Sequence, residues 1–294
     1  MRSGIRTKFA FASTILLLSL LFALPSARSA EERRLLYAIV DTNFDSATPP
    51  STVFDPPTLV AARLSALNDG DFRLGVIGST RAQAAIALAI CPPGGETGQG
   101  AVAYTIAKAF SPQNQFATLD LHTGAATLVV GSSPLASELN IMAMACSPMG
   151  KLYAIGQSDP TNPDFNSLYT VDRKTGFASR IGSTGVLDPS DFSGFSGFLM
   201  ALSFTPDGTL YGVSDGAIGE GSTLYSVSLT TGLATKVVGI KVDAVMGLAI
   251  DEEKKFYVAD YVQQSKIYTL DTVSGMAAPI LETHLDFVNN IAFK

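Results

Sequence analysis

Two stretches of the chain repeat one another in kind and order. Met142-Ala-Met-Ala-Cys-Ser-Pro-Met-Gly150 leads into Lys151-Leu-Tyr-Ala-Ile-Gly156 and later into Ser167-Leu-Tyr-Thr-Val-Asp-Arg-Lys-Thr-Gly176. Met200-Ala-Leu-Ser-Phe-Thr-Pro-Asp-Gly208 leads into Thr209-Leu-Tyr-Gly-Val-Ser214 and later into Ser222-Thr-Leu-Tyr-Ser-Val-Ser-Leu-Thr-Thr-Gly232. Each copy reads as strand, tight turn, strand, loop, strand, tight turn, strand. A fixed order of this kind restricts the chain to a repeat architecture built from four-stranded units.

The rest of the chain follows the same template. Tyrosines at equivalent second-strand positions fall at 104, 153, 211 and 257, with spacings of 49, 58 and 46 residues, inside or slightly above the range of one four-stranded propeller blade. One unit is split. Arg34-Leu-Leu-Tyr-Ala-Ile-Val40 reads as a second strand with no first strand before it, and Asn289-Asn-Ile-Ala-Phe-Lys294 as a first strand with nothing after it. The expected fold is therefore all-β: a five-bladed propeller of four-stranded antiparallel blades, closed by the C-terminal strand pairing into the N-terminal blade. A count of six or seven blades is the alternative. Closure removes the open sheet edges of a linear array. In the inner strands Met142, Met144 and Cys146 alternate with Ala143 and Ala145, and Met200, Leu202 and Phe204 with Ala201 and Ser203. Large side chains of one blade then pack on small ones of the next.

Residues 1–29 read as an address. Arg2, Arg6 and Lys8 precede an apolar run of 16 residues, Phe9 to Leu24, and Ala27-Arg28-Ser29 offers a cleavage site after Ser29. This is the layout of a secretory signal peptide, and the run is shorter than the ~20 residues of a spanning helix. The expectation is a secreted protein, extracellular or periplasmic, with residues 30–294 as one propeller domain and no membrane span after cleavage. The mature chain keeps 16 Lys and Arg against 26 Asp and Glu, a net charge of −10, which argues against nucleic acid as a partner. Its two cysteines, Cys91 and Cys146, are either a disulfide, as an oxidising compartment allows, or two buried thiols.

Thr205-Pro-Asp-Gly-Thr-Leu-Tyr211 resembles the Pro-Asp-Gly-x-x-Tyr signature of secreted propellers with Tyr-Val-Thr-Asn-type, NHL-type and TolB-like repeats, and Lys255-Phe-Tyr-Val-Ala-Asp260 resembles an NHL-type strand. The resemblance covers nearly the whole mature chain. It implies a fold, and that group contains sensors, binding scaffolds and enzymes.

Loop lengths point to a working face. First-to-second and third-to-fourth connections are mostly tight turns. The others, such as 41–57, 157–166 and 184–198, are long and varied, and they emerge on one side of the disc, where binding usually resides. Candidate ligand-binding residues on that side are Asp41, Asp215 and Asp260 after second strands, and Asn140, Asn289 and Asn290 at inner-strand starts. Their oxygens suit Ca²⁺ or another divalent cation, or they are strand-end turn chemistry. Resemblance to gluconolactonases would imply a metal-dependent hydrolase or lactonase, although no inner-strand Glu matches theirs. Asp120, Asp172 and Asp271 precede turns on the opposite face and read as structural. His122 and His284 belong to no nucleophile motif. Phe192, Phe195 and Phe198 form either an exposed patch or an inward plug. The preferred reading is a non-enzymatic scaffold that binds a protein or small-molecule ligand through its long-loop face.

Overall fold

The computed structural model describes residues 35–40, 57–63, 75–82, 85–93, 100–107, 115–129, 139–157, 166–186, 198–215, 221–283, 285 and 287–294. They form five four-stranded antiparallel sheets. The first blade holds β1 (Leu35–Val40), β2 (Thr58–Arg63) and β3 (Gly75–Ser79). The second holds β4 (Ala85–Cys91), β5 (Val102–Ala107), β6 (Gln115–Leu119) and β7 (Ala126–Leu128). The third holds β8 (Asn140–Cys146), β9 (Leu152–Gln157), β10 (Ser167–Val171) and β11 (Ala178–Ser183). The fourth holds β12 (Leu199–Phe204), β13 (Leu210–Ser214), β14 (Ser222–Val227) and β15 (Ala234–Ile240). The fifth holds β16 (Val245–Ile250), β17 (Phe256–Asp260), β18 (Lys266–Leu270) and β19 (Ala277–Glu282). The last strand, β20 (Val288–Phe293), returns to the first blade and pairs with β1, so that sheet runs β20-β1-β2-β3. The split blade is thus completed by the chain's two ends, as the sequence implied. No helix long and apolar enough to cross a membrane occurs among the described residues.

The core lies between blades. Ala143 and Ala145 of β8 share an apolar cluster with Leu202 and Phe204 of β12, the large-on-small packing that alternation calls for. The outer rim uses glycine for the same purpose. Gly78, Gly182 and Gly239 close the outer edges of three blades, and the third-to-fourth turn of the next blade presses on each. A Cβ on Gly78 would stand 2.2 Å from the Thr123 oxygen, one on Gly182 2.1 Å from the Thr231 oxygen, and one on Gly275 1.9 Å from the Gly239 oxygen. Third-to-fourth turns of this kind are fixed by aspartates such as Asp172 and Asp271, whose carboxylates accept from Lys174 and Thr175 amides (2.8 and 2.9 Å) and from the Val273 amide (2.9 Å). Those amides hold both carboxyls below the usual range, with the Ser274 hydroxyl the largest influence on Asp271.

All five inner strands carry a register shift at one equivalent position. Against their second-strand partners, Ala87, Met142, Met200, Met246 and Asn290 are the extra residues. A bulge re-aims its side chain and sharpens the local twist. Here it turns Met200 away from the Leu202 and Phe204 face, into the cluster that holds Ala87, Met142 and Met246.

The glycine contacts predict a contrast between two conservative changes. Gly182→Ala places a methyl against a backbone oxygen and is expected to destabilise by about 1–3 kcal/mol. Gly239→Ala meets nothing within 4 Å and is expected to shift stability by less than about 0.5 kcal/mol. Urea midpoints of the two variants check this.

Candidate functional site

The inner strands enclose an axis with two unlike ends. At the long-loop end the five bulges converge. Ala87, Met142, Met200 and Met246, from four blades, are 0–8% exposed and share one cluster. These buried residues come from four of the five sectors and close the long-loop end of the axis. In the fifth sector Asn290 replaces the apolar residue. It is buried, takes φ +50°, and donates from Nδ2 to Asn289 Oδ1 at 2.7 Å. Asn tolerates this left-handed backbone better than most side chains.

Around the seal runs a layer of buried polar side chains. Ser222 Oγ accepts from the Val245 amide (3.1 Å), and Ser265 Oγ from the Val288 amide (3.0 Å). Each serine opens a third strand and holds the start of the next blade's inner strand. Thr184 Oγ1 donates to the Asn166 carbonyl (2.7 Å), and Thr283 Oγ1 to the Ser265 carbonyl (2.5 Å). Buried hydroxyls that are fully bonded fix geometry rather than merely tolerate burial.

The sequence-nominated residues sit along this layer without forming one set. Asp260 is buried at the end of β17; it accepts from the Lys266 amide (2.6 Å) and the Tyr268 hydroxyl (2.8 Å). Burial raises its carboxyl above the ordinary value, and those two hydrogen bonds oppose the shift. Asn140 opens β8 opposite Gln157. Asp41 and residues 191–197, including Phe192 and Phe195, lie outside the described residues, whereas Phe198 is half-buried against the axial cluster.

Asp215 differs from the rest. It follows β13, and its Oδ1 is buried with no hydrogen-bond partner among the described residues. Burial, then the nearby Asp243 carboxylate, pushes its pKa up to about 7. Asp243 in turn accepts from the Gly221 amide at 2.9 Å. Among the described residues no three His, Cys, Asp or Glu side chains gather to hold a metal. With Asn290 bonded to Asn289 and Asp260 to its own blade, the described donors do not fit a divalent cation in the channel.

The opposite, tight-turn end is open. A depression of about 750 Å³ is lined by residues at the ends of all five inner strands. Its floor holds Ile250, Phe204, Phe293 and the Cys91–Cys146 disulfide, and prolines from three turns stand around it. Below it a narrow axial space of about 100 Å³ continues between small residues such as Ala89, Ala145 and Ser203. The disulfide joins the inner strands of blades two and three with Cα atoms 5.0 Å apart, although the two cysteines occupy positions one residue apart in the repeat. Loop lengths carry no sign of this funnel. The signals that mark it are Pro92, Pro148 and Pro206, each just after an inner strand, and the acidic Asp251-Glu252-Glu253 turn.

No protein-family model matches the sequence, and no curated protein matches it. Similar solved structures include the nidogen/laminin complex, with TM-score 0.52 and 11% identity over 88% of this chain and 97% of that one. TolB from Acinetobacter baumannii gives TM-score 0.47 and 14% identity over 90% of this chain and 67% of that one. A gluconolactonase from Xanthomonas campestris, XC5397, gives 0.48 and 14% over 82% and 73%. At these identities the likeness is one of fold.

Asp215 generates a pH prediction with a definite sign. Its native pKa, about 7, lies above the ordinary 3.8, so between those values the native state holds a proton the unfolded chain has lost. Its contribution to stability is full below about pH 4 and fades as pH rises towards 7. Asp215→Asn is therefore expected to match wild type near pH 4 and exceed it increasingly up to pH 7, measured by chemical denaturation across that window.

Proposed function

We propose that this chain is an exported, non-enzymatic propeller that presents its long-loop face to a protein or small-molecule partner. The observation that carries this reading is the hydrogen-bonded polar layer beneath that face. A surface that only needed to be covered would not require buried serines and threonines bonded at four described strand ends; a surface that must hold loops in fixed positions does. Ser222, Ser265, Thr184 and Thr283 all lie in or beside second-to-third or fourth-to-first connections, the two classes that emerge on this face. The sealed axis agrees with this reading, since a plugged disc is a platform rather than a conduit.

Export rests on the basic start, the apolar run and the small residues before position 30. The disulfide fits an oxidising destination. The nidogen/laminin complex supports the idea of a propeller as a protein-binding platform by analogy of fold alone.

Two measurements test the reading. N-terminal sequencing of the exported protein is expected to begin at Ala30; a retained leader contradicts the export route. Site-specific photocrosslinking compares benzoylphenylalanine at the exposed Gln263 on the long-loop face with the same probe at Met149 and Val273 on the tight-turn face. Discrete adducts from position 263 alone support the assignment, and adducts from 149 or 273 alone overturn it.

A further inference from the structure

The funnel at the tight-turn end is a second site of different chemistry. Its floor is apolar, with Phe204 and Ile250 at 8% and 7% exposure beneath it and Phe293 partly open to it. It narrows into the axial space between Ala89, Ala145 and Ser203. At about 750 Å³ it falls within the range of pockets that enclose drug-sized ligands.

Its walls are held open without a ligand. The disulfide ties two inner strands at the floor. Ser147 Oγ accepts from the Lys151 amide (3.0 Å), Thr205 Oγ1 from the Thr209 amide (3.0 Å), and Asp251 Oδ1 from the Glu253 and Lys255 amides (2.9 and 2.8 Å). These bonds lock three of the wall turns, so a ligand meets a preformed cavity and loses little to reordering it.

The lip is charged on one side. Among the described lining residues, Asp251, Glu252 and Glu253 stand against one lysine, Lys294. Lys254, in the same turn, is engaged with Asp207 at 2.6 Å, and the Lys151 and Lys255 Nζ atoms lie over Tyr153 and Tyr257. Glu252 and Glu253 are exposed at the lip above an apolar floor. A ligand that buries an apolar body and leaves a positive group at the rim satisfies both halves.

We propose that the axial funnel binds a small amphiphilic organic cation, its apolar body over Phe204, Ile250, Phe293 and the disulfide and its ammonium group beside Glu252 and Glu253. An anionic amphiphile of similar size shares the floor and meets repulsion at the lip. The site lies on the face opposite the long loops, so it stands or falls independently of the partner surface proposed above.

The test uses the full exported chain with its disulfide intact, titrated with dansylcadaverine, an apolar fluorophore bearing a primary amine, and with the anionic 1-anilinonaphthalene-8-sulfonate. Wild type is expected to bind dansylcadaverine saturably at one site and about fivefold more tightly than the anion, the order expected of two half-solvated charge contacts. Glu252→Gln with Glu253→Gln, both at exposed positions, is expected to abolish that preference while leaving the anion bound. Ala101→Trp, which fills the funnel from a half-buried wall position, is expected to weaken both probes at least tenfold. Equal or tighter binding of the anion by wild type, or unchanged binding in Ala101→Trp with its fold confirmed by circular dichroism, overturns the proposal.

Discussion

The pairing of β20 with β1 is the contact on which the rest of the molecule depends. Leu36, Tyr37 and Ala38 face Phe293, Ala292 and Ile291 across a ladder that joins the two ends of the folded chain. Without it the first blade lacks its inner strand and the fifth blade loses a neighbour. Two sheet edges would then stand open to other chains. The axis exists only inside a closed ring, so the methionine seal and the funnel are both consequences of this one long-range ladder. Its formation fixes nearly the whole length of the chain into a loop, an entropic cost that the accumulated blade-to-blade burial must offset.

Within the ring the two faces are built from opposed chemistry. On the long-loop side, serine and threonine hydroxyls tie strand ends to the next blade, and each bulge turns its residue inward to the axis. On the tight-turn side, prolines, a disulfide and aromatic rings leave an apolar hollow open. Both ends use short-range hydrogen bonds to fix turns. Only the first uses them to seal. A closed platform and an apolar pocket therefore coexist on a single axis, and neither requires the other's ligand.

The architecture was legible because its determinants are local and repeated. Tyr-containing second strands, Pro-Asp-Gly turns and the orphan strands at Leu35 and Val288 each carry their meaning in a few residues. What was not legible depends on how blades meet. The register shift at Met200 leaves no mark in its own strand, since an alternating pattern reads the same with or without an inserted bulge. Gly78 and Gly182 look like ordinary strand glycines until the neighbouring turn is seen against them. Asp215 and Asp260 look alike in sequence, each closing a second strand. Yet one finds an amide and a tyrosine hydroxyl, while the other is left beside Asp243. The disulfide, an open question from spacing alone, depends on an approach between strands of adjacent blades that only the closed ring fixes.

Native-state hydrogen exchange on β20 and β1 puts ring closure to the question. If the ladder is integral to the fold, the amides of Ile291 and Ala292 exchange only through global opening, with the same free energy and denaturant dependence as core amides such as Leu248 in β16. Exchange of β20 amides orders of magnitude faster than those of β16, with the remaining blades still protected, would show that the chain folds without closing and would contradict the account.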